Sequence, residues 1–426
     1  MARKAGVSRR DFLKGAAAAV AAPYVLTSTA LGAADRPAAS GRIVMGAIGL
    51  GGQGQGDMGG LMGSREVQMV AVCDVDRDHR EKARAAVNKH NGNNDCAGYN
   101  DFRELLARDD IDAVLIATPD HWHAIVVIEA ARAGKDMYCE KPLSLTIREG
   151  RAMSDAVRRY GRVFQTGSQQ RSDDKFRFAC ELVRNGRIGK LVTMKVGLPG
   201  GDASGPKPPV PVPDGFDYDF WLGPAPWAPY FAEKCHWNFR WQFDYSGGQV
   251  TDWGAHHCDI GQWGNGTEYT GPTEMWGSGK FPDNGPWNTA VEYQFFAKYP
   301  NGVVMDVSSR HPNGVRFEGT EGWVFVTRGK IDAEPKPLLR STIGPSEIHL
   351  YENRNHTRNF VECVLTRRPT IAPIEVAHRS ITIAHLGNIA MLTGRKIKWD
   401  PDKEQIVGDA EANRWLDRPK REPWRI

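Results

Sequence analysis

The chain has 426 residues, 41% of them apolar, and a formal charge of +4, enough apolar content for two or more full cores. Arg3, Lys4, Arg9, Arg10 and Lys14 against Asp11 put that excess in the first 34 residues, so the remainder is close to neutral. With no basic aromatic patch, nucleic acid is excluded as the expected partner. Seven scattered cysteines without a C-x-x-C pair read as buried thiols, not a disulfide framework.

Ser8-Arg-Arg-Asp-Phe-Leu-Lys14 reads as a twin-arginine export signal, followed by an Ala-rich stretch through Leu26. Ser28-x-Ala30 or Gly32-x-Ala34 would suit cleavage, giving a signal over residues 1–34 and an exported or periplasmic mature protein. The apolar part is short for a spanning helix; an uncleaved anchor is the alternative. Twin-arginine transport carries folded proteins, so a nucleotide-binding passenger is expected to travel with its cofactor and hold it tightly.

From Ile43 the pattern alternates strand and helix with short connections, the signature of a parallel sheet covered on both faces. The apolar run 43–48 leads into Gly49-Leu-Gly51-Gly52-Gln53-Gly54, which fits G-x-G-x-x-G. The first glycine permits a tight turn, the second lets backbone approach a pyrophosphate, and the third allows close helix–strand packing. A second strand over 67–73 ends at Asp74, 20 residues after Gly54, where a carboxylate would hold the adenosine ribose and favour NAD. Arg77 and Arg80 nearby could accommodate the 2′-phosphate of NADP. A helix over 76–90, a polar loop at 91–95, a short helix over 101–106 and a strand over 113–118 follow. Thr118-Pro-Asp-His121-Trp-His123 then opens a helix stopped by Gly134, and His123 either lies near a nicotinamide or caps that helix. A strand over 135–139 ends at Glu140-Lys141-Pro142, and a helix over 146–160 and a strand over 162–166 complete the unit. These strands with right-handed crossovers predict a doubly wound dinucleotide fold over 42–166.

Residues 167–426 differ in character. A helix is expected over 176–185 and a strand over 191–196, then a Gly/Pro-rich segment at 199–213, read as a functional loop or an oligomer arm. Ten aromatic residues crowd 218–243, suited to stacking on sugar faces or to a core and dimer interface. Strands over 289–296, 303–307 and 322–326 and helices over 357–366 and 375–392 finish the chain, and no internal repeat is present.

Lys141, at the carboxyl end of a strand, can hydrogen-bond a reacting hydroxyl or hold a relayed proton; a surface salt bridge is the plain alternative. Asp252, His256 and Asp259 fall on one face of a helical turn, where a carboxylate beside an imidazole would fix its tautomer for general-base work. His257 and Cys258 also read as core packing. No metal is expected, although spacing leaves open a site from Asp252, His256, Asp259 and His236.

These motifs together resemble the Gfo/Idh/MocA oxidoreductase family across the mature chain. The resemblance rests on Gly49 to Gly54, Thr118-Pro119 with His123, Glu140-Lys141-Pro142, and Asp252-x-x-x-His256. It implies a Rossmann domain followed by an α/β domain with a large open mixed sheet, and a homodimer or homotetramer packed through that sheet. It implies Lys141 on the reacting hydroxyl, His256 as acid/base, and Asp252 as its partner and a substrate ligand. Cofactor contacts are expected from Gly49, Gly51, Gly52, Gln53, Gly54, Asp74, Thr118, Pro119, His123 and Glu140. Substrate contacts are expected from Lys141, Arg171, Trp241, Asp252 and His257. Exported members of the family include glucose-fructose oxidoreductase, which keeps its nucleotide, and glycosidases that oxidise and then re-reduce a sugar. The Asp252-x-x-x-His256 pattern is similar to that of the dehydrogenases. The expected function is therefore NAD(H)-dependent oxidation of a carbohydrate or glycoside hydroxyl. A redox-neutral hydrolase or lyase and a non-catalytic sugar-binding protein are the alternatives.

Overall fold

The apolar run Ile43–Ile48 forms strand β1, five of its six residues buried, because helices cover both faces of the sheet it centres. The computed structural model describes Pro37, Ala38 and residues 41–426; the expected signal over 1–34 lies outside the described residues. Ile43–Ile426 form one compact unit.

After β1 come α1 (Gly52–Met62), β2 (Val67–Cys73), α2 (Arg77–Asn91), β3 (Ala97–Tyr99) and α3 (Phe102–Leu106). They are followed by β4 (Ala113–Ile116), α4 (Asp120–Arg132), β5 (Asp136–Cys139), α5 (Ile147–Arg159) and β6 (Phe164–Thr166). The six strands are all parallel, in the order β3-β2-β1-β4-β5-β6, the doubly wound arrangement expected. Side-chain oxygens supply the helix starts: Asp76 caps α2, Asp101 caps α3 and Thr146 caps α5. Among these strands only β3 falls where the sequence suggested no element, and three residues are too few for a period to show.

The second sheet has nine strands and opens after α6 (Asp174–Arg184) with β7 (Leu191–Gly197). The aromatic stretch carries the short helix α7 (Tyr218–Leu222), and α8 (Gln249–Asp252) and α9 (Gly254–Asn265) follow, broken at Trp253. Strands β8 (Glu274–Lys280), β9 (Glu292–Lys298), β10 (Val304–Ser308), β11 (Gly314–Gly319), β12 (Trp323–Thr327) and β13 (Lys330–Glu334) come next. Helices α10 (His356–Thr366) and α11 (Ile374–Thr393) precede β14 (Ile397–Asp400) and β15 (Gln405–Ile406). The order β13-β12-β11-β7-β10-β9-β8-β14-β15 is mixed, with β7 and β10 parallel and the other pairs antiparallel. Helices α9 and α11 cover one face. On the other, Trp276 stacks on Phe296 and Arg316 lies over Trp323, all partly exposed.

Residues 199–213 have no helix or strand. Backbone bonds from Gly201 to Val291 and from Val210 to Tyr230 hold the segment down.

Candidate active site

The carboxyl ends of the parallel strands open into a cavity of about 1120 Å³ that also reaches Asp252, Trp253, His256 and Arg328. The glycine turn forms one wall. Gly49 has φ +81°, and a Cβ on it would stand 2.5 Å from the Thr118 nitrogen. A Cβ on Gly54 would stand 2.0 Å from the Gly49 carbonyl oxygen, so α1 can pack on β1 only without it. Gly54→Ala is therefore expected to cost about 1–3 kcal/mol by overpacking and to empty the protein of nucleotide. Urea unfolding and nucleotide content of the purified protein check this; full retention of both would show that the turn tolerates the methyl group.

Asp74 closes the turn. Its Oδ2 accepts from the Leu50 amide at 2.6 Å and its Oδ1 from the Asp76 amide at 2.8 Å. Each oxygen keeps a lone pair, which suits a pair of ribose hydroxyls. Arg80 is committed to the Asp74 carbonyl and to Asn100, and neither Arg77 nor Arg80 lines the cavity. The turn that a side chain would fill, and the buried Thr118 Oγ1 without a partner, fit a dinucleotide.

Glu140 is buried at the end of β5, accepts from Gln169 Nε2 at 2.9 Å, and faces Asp57. Burial, then the Asp57 charge, push the Glu140 carboxyl well above its ordinary range. Burial also raises Asp57 to about 6 against the bonds from Gln53, whose Nε2 lies 3.0 and 3.1 Å from its two oxygens. Asp120 is raised to about 7, chiefly by burial, and accepts from Ser246 Oγ at 2.5 Å. The cavity thus holds carboxyl groups able to carry protons near neutrality.

Lys141 Nζ donates to Asp252 Oδ1 at 2.5 Å, and Arg240 Nε stands 3.4 Å from Asp252 Oδ2. Burial raises the Asp252 pKa, but Lys141 and then Arg240 outweigh it and hold the carboxyl below its ordinary range. His256 is 4% exposed, and its Nδ1 has no partner. Burial first, then the Lys141 charge, hold its imidazole well below its ordinary range, so it is neutral and able to take a proton.

Several expected positions stand elsewhere. The Asp252 carboxylate does not orient His256: the break at Trp253 separates the two, and Lys141 and Arg240 take its oxygens. Asp259 is buried against Arg171, and His236 groups with Asp76 and His79, so the four-residue metal set does not assemble. Arg171, Trp241 and His257 do not line the cavity. The first is consumed by Asp259, the second bonds Asn238 and packs near Trp287, and the third bonds Asn313 at 2.7 Å. His123 is also behind the wall, its Nδ1 2.8 Å from the Pro142 carbonyl and its Nε2 2.8 Å from that of Thr118. It braces the two turns that carry Thr118 and Lys141. Arg240, Asp57, Asp120 and Gln170 line the cavity and were not singled out from sequence. Asp120 lies inside the Thr118-Pro-Asp triplet, and Asp57 is three residues beyond Gly54, within one helical turn.

Residues 43–168 match the family model described as oxidoreductase family, NAD-binding Rossmann fold, and residues 202–426 match its C-terminal alpha/beta domain. Residues 6–23 match the twin-arginine translocation pathway signal sequence, which marks the chain for export by that route. No helix among the described residues is long and apolar enough to cross a membrane. The NAD(+)-dependent scyllo-inositol 2-dehydrogenase of Bacillus subtilis is 28% identical over 235 residues, 52% of this chain and 57% of that protein. A glycosyl hydrolase family 109 protein of Shewanella baltica is 29% identical over 208 residues, 44% of each chain. The chain thus spans about half the length of these curated relatives. The fold is similar to that of aldose-aldose oxidoreductase from Caulobacter crescentus, at a TM-score of 0.63 and 19% identity over 84% of this chain and 99% of that one. Two family models, one on the parallel sheet and one on the region that carries Asp252 and His256, meet around a single cavity, and the chain belongs to the Gfo/Idh/MocA oxidoreductase family.

Proposed function

We propose that the protein is an exported NAD(H)-dependent oxidoreductase acting on a hydroxyl of a carbohydrate or glycoside. Residues 42–166 hold the nucleotide and residues 167–426 the substrate. The observation that carries this reading is that Lys141, Asp252 and neutral His256 line the same cavity as the glycine turn and Asp74. When bound, the nicotinamide supplies a carbon that accepts hydride from the carbinol carbon. His256 takes the hydroxyl proton, and Lys141 donates a hydrogen bond to the same oxygen as negative charge develops on it. Asp252 holds the ammonium group in place through Oδ1, while its other oxygen faces Arg240. Exposed Trp237 at the cavity rim offers an apolar face to a sugar ring. Asp74 selects NAD, since a 2′-phosphate would meet its carboxylate. Because the chain is exported, the nucleotide serves as a retained prosthetic group. The open face of the nine-stranded sheet suits packing into a homodimer or homotetramer.

The similarity to glycosyl hydrolase family 109 proteins favours a second reading, a redox-neutral glycosidase or lyase that oxidises its sugar transiently. One experiment separates the two. The purified protein is denatured and its nucleotide identified; intact protein is then given free sugars and aryl glycosides, with reduced nicotinamide followed by absorbance. Oxidised sugar with matching reduced nucleotide supports the first reading. Aglycone release with no net change in NADH supports the second. Protein that binds a sugar, holds no nucleotide and turns nothing over would sink both in favour of a binding protein.

A further inference from the structure

We propose that Asp76, His79 and His236 form a binding site for one divalent transition-metal ion of the zinc type, which fastens the 214–248 strap to the nucleotide fold. Asp76 and His79 open α2, two and five residues after Asp74, whereas His236 comes from the part of that strap between α7 and α8. One potential ligand atom from each lies within 4.8 Å of the others. Around a tetrahedral ion with bonds of about 2.1 Å, ligand atoms stand about 3.4 Å apart. The His236 Nε2 to Asp76 Oδ2 distance is already 3.6 Å, so closing the set needs a movement of about 1 Å, which the half-exposed His236 can supply in part.

The surroundings support this use. Asp76 Oδ1 is occupied in capping α2, accepting from the amides of Asp78 at 2.9 Å and His79 at 3.4 Å. That fixes the carboxylate and leaves Oδ2 turned toward His236. Asp74 Oδ2 stands 3.8 Å from His79 Nδ1, a carboxylate placed to orient a metal-bound imidazole. Two imidazoles and one carboxylate are a donor set for Zn²⁺, Co²⁺ or Ni²⁺; Mg²⁺ and Ca²⁺ prefer oxygen alone. The His236 side chain is 48% exposed, which gives an ion access from solvent and leaves room for water as a fourth ligand.

The strap already meets the nucleotide fold through Arg77 N to the Gly215 carbonyl at 3.0 Å and Asp217 N to the Val75 carbonyl at 2.9 Å. A metal bridge would add a tie beside Asp74, at the rim of the cavity, to existing ones that also include Ser246 to Asp120 and Asn100 to Asp217. Its consequence is slower escape of whatever the cavity holds. This site does not depend on which reaction the cavity performs.

The test uses untagged full-length protein with its nucleotide bound, stripped of metal by a chelator and desalted. It is titrated with Co²⁺ by visible absorption and with Zn²⁺ by calorimetry. One equivalent with a tetrahedral Co²⁺ spectrum is expected. Affinity should fall by about 10-fold or more in Asp76→Asn and in His236→Ala. Asparagine still caps a helix, and His236 lies half-exposed in a loop, so both variants should stay folded; circular dichroism verifies that. A wild type that takes up neither ion, or two folded variants that bind as tightly as it does, overturns the site. Nucleotide release no slower with Zn²⁺ than after chelation overturns the fastening role.

Discussion

Replacing His256 by alanine is expected to lower turnover by about 10²–10⁴-fold while the nucleotide stays bound, the loss of a positioned general base. The imidazole lines the cavity, is 4% exposed and makes no hydrogen bond through Nδ1, so its removal breaks no structural tie at that atom. Nucleotide content of the purified variant and single-turnover absorbance measure the two effects separately. Turnover within tenfold of the wild type would remove His256 from the mechanism. The pH profile adds a second readout. Burial and the Lys141 charge depress the folded pKa of His256, so the neutral, base-competent form persists well below pH 6.5 and is lost only as pH falls through that depressed value. The acid limb of kcat/KM due to His256 therefore lies well below pH 6.5. A limb near 7 would instead report Asp120, raised to about 7, and should vanish in Asp120→Asn.

What the sequence disclosed depended on how local each constraint is. The glycine turn was legible because the backbone itself demands glycine at Gly49 and Gly54, where φ +81° and a carbonyl 2.0 Å away exclude a side chain. Asp74 was legible because its place follows from strand length and turn geometry, and Lys141 because strand ends of a doubly wound sheet carry ligands. Pairings between distant segments were not. Asp252 was expected beside His256, four residues on, but its partner Lys141 is 111 residues away. A one-residue interruption at Trp253 was enough to void the helical-face argument that joined Asp252 to His256 and Asp259. Charge alone could not name Arg240, which reaches the site from a single 3₁₀ turn, Asn238–Trp241, too short for a period to show. The aromatic run divided as well. Tyr218 and Trp221 pack into a buried cluster with Phe216 and Tyr245 from just outside the run, whereas Trp237 is 68% exposed at the cavity rim.

Arg171 shows the same lesson with a measurable cost. From sequence it stood as a substrate contact, yet Nε and Nη2 donate to Asp259 Oδ2 and Oδ1 at 2.6 and 2.8 Å, 88 residues along the chain. Both side chains are about as buried as a side chain can be, at 4% and 3% exposure. Ser380 Oγ donates to Asp259 Oδ1 at 2.7 Å, and the guanidinium lies 4.8 Å from the Trp263 ring centroid. Every charge is therefore compensated only while both partners are present. Arg171→Met leaves the Asp259 carboxylate buried with one hydroxyl donor, and is expected to destabilise the fold by about 3–5 kcal/mol. Adding Asp259→Leu to the same chain should recover most of that loss, because an apolar pair of similar volume avoids both desolvation penalties. Urea unfolding of the single and double variants, each with nucleotide bound, gives the comparison. A single variant with unchanged stability and a raised KM would return Arg171 to the substrate. A double variant as unstable as the single one would locate the cost in packing against Trp263 instead of in the stranded charge.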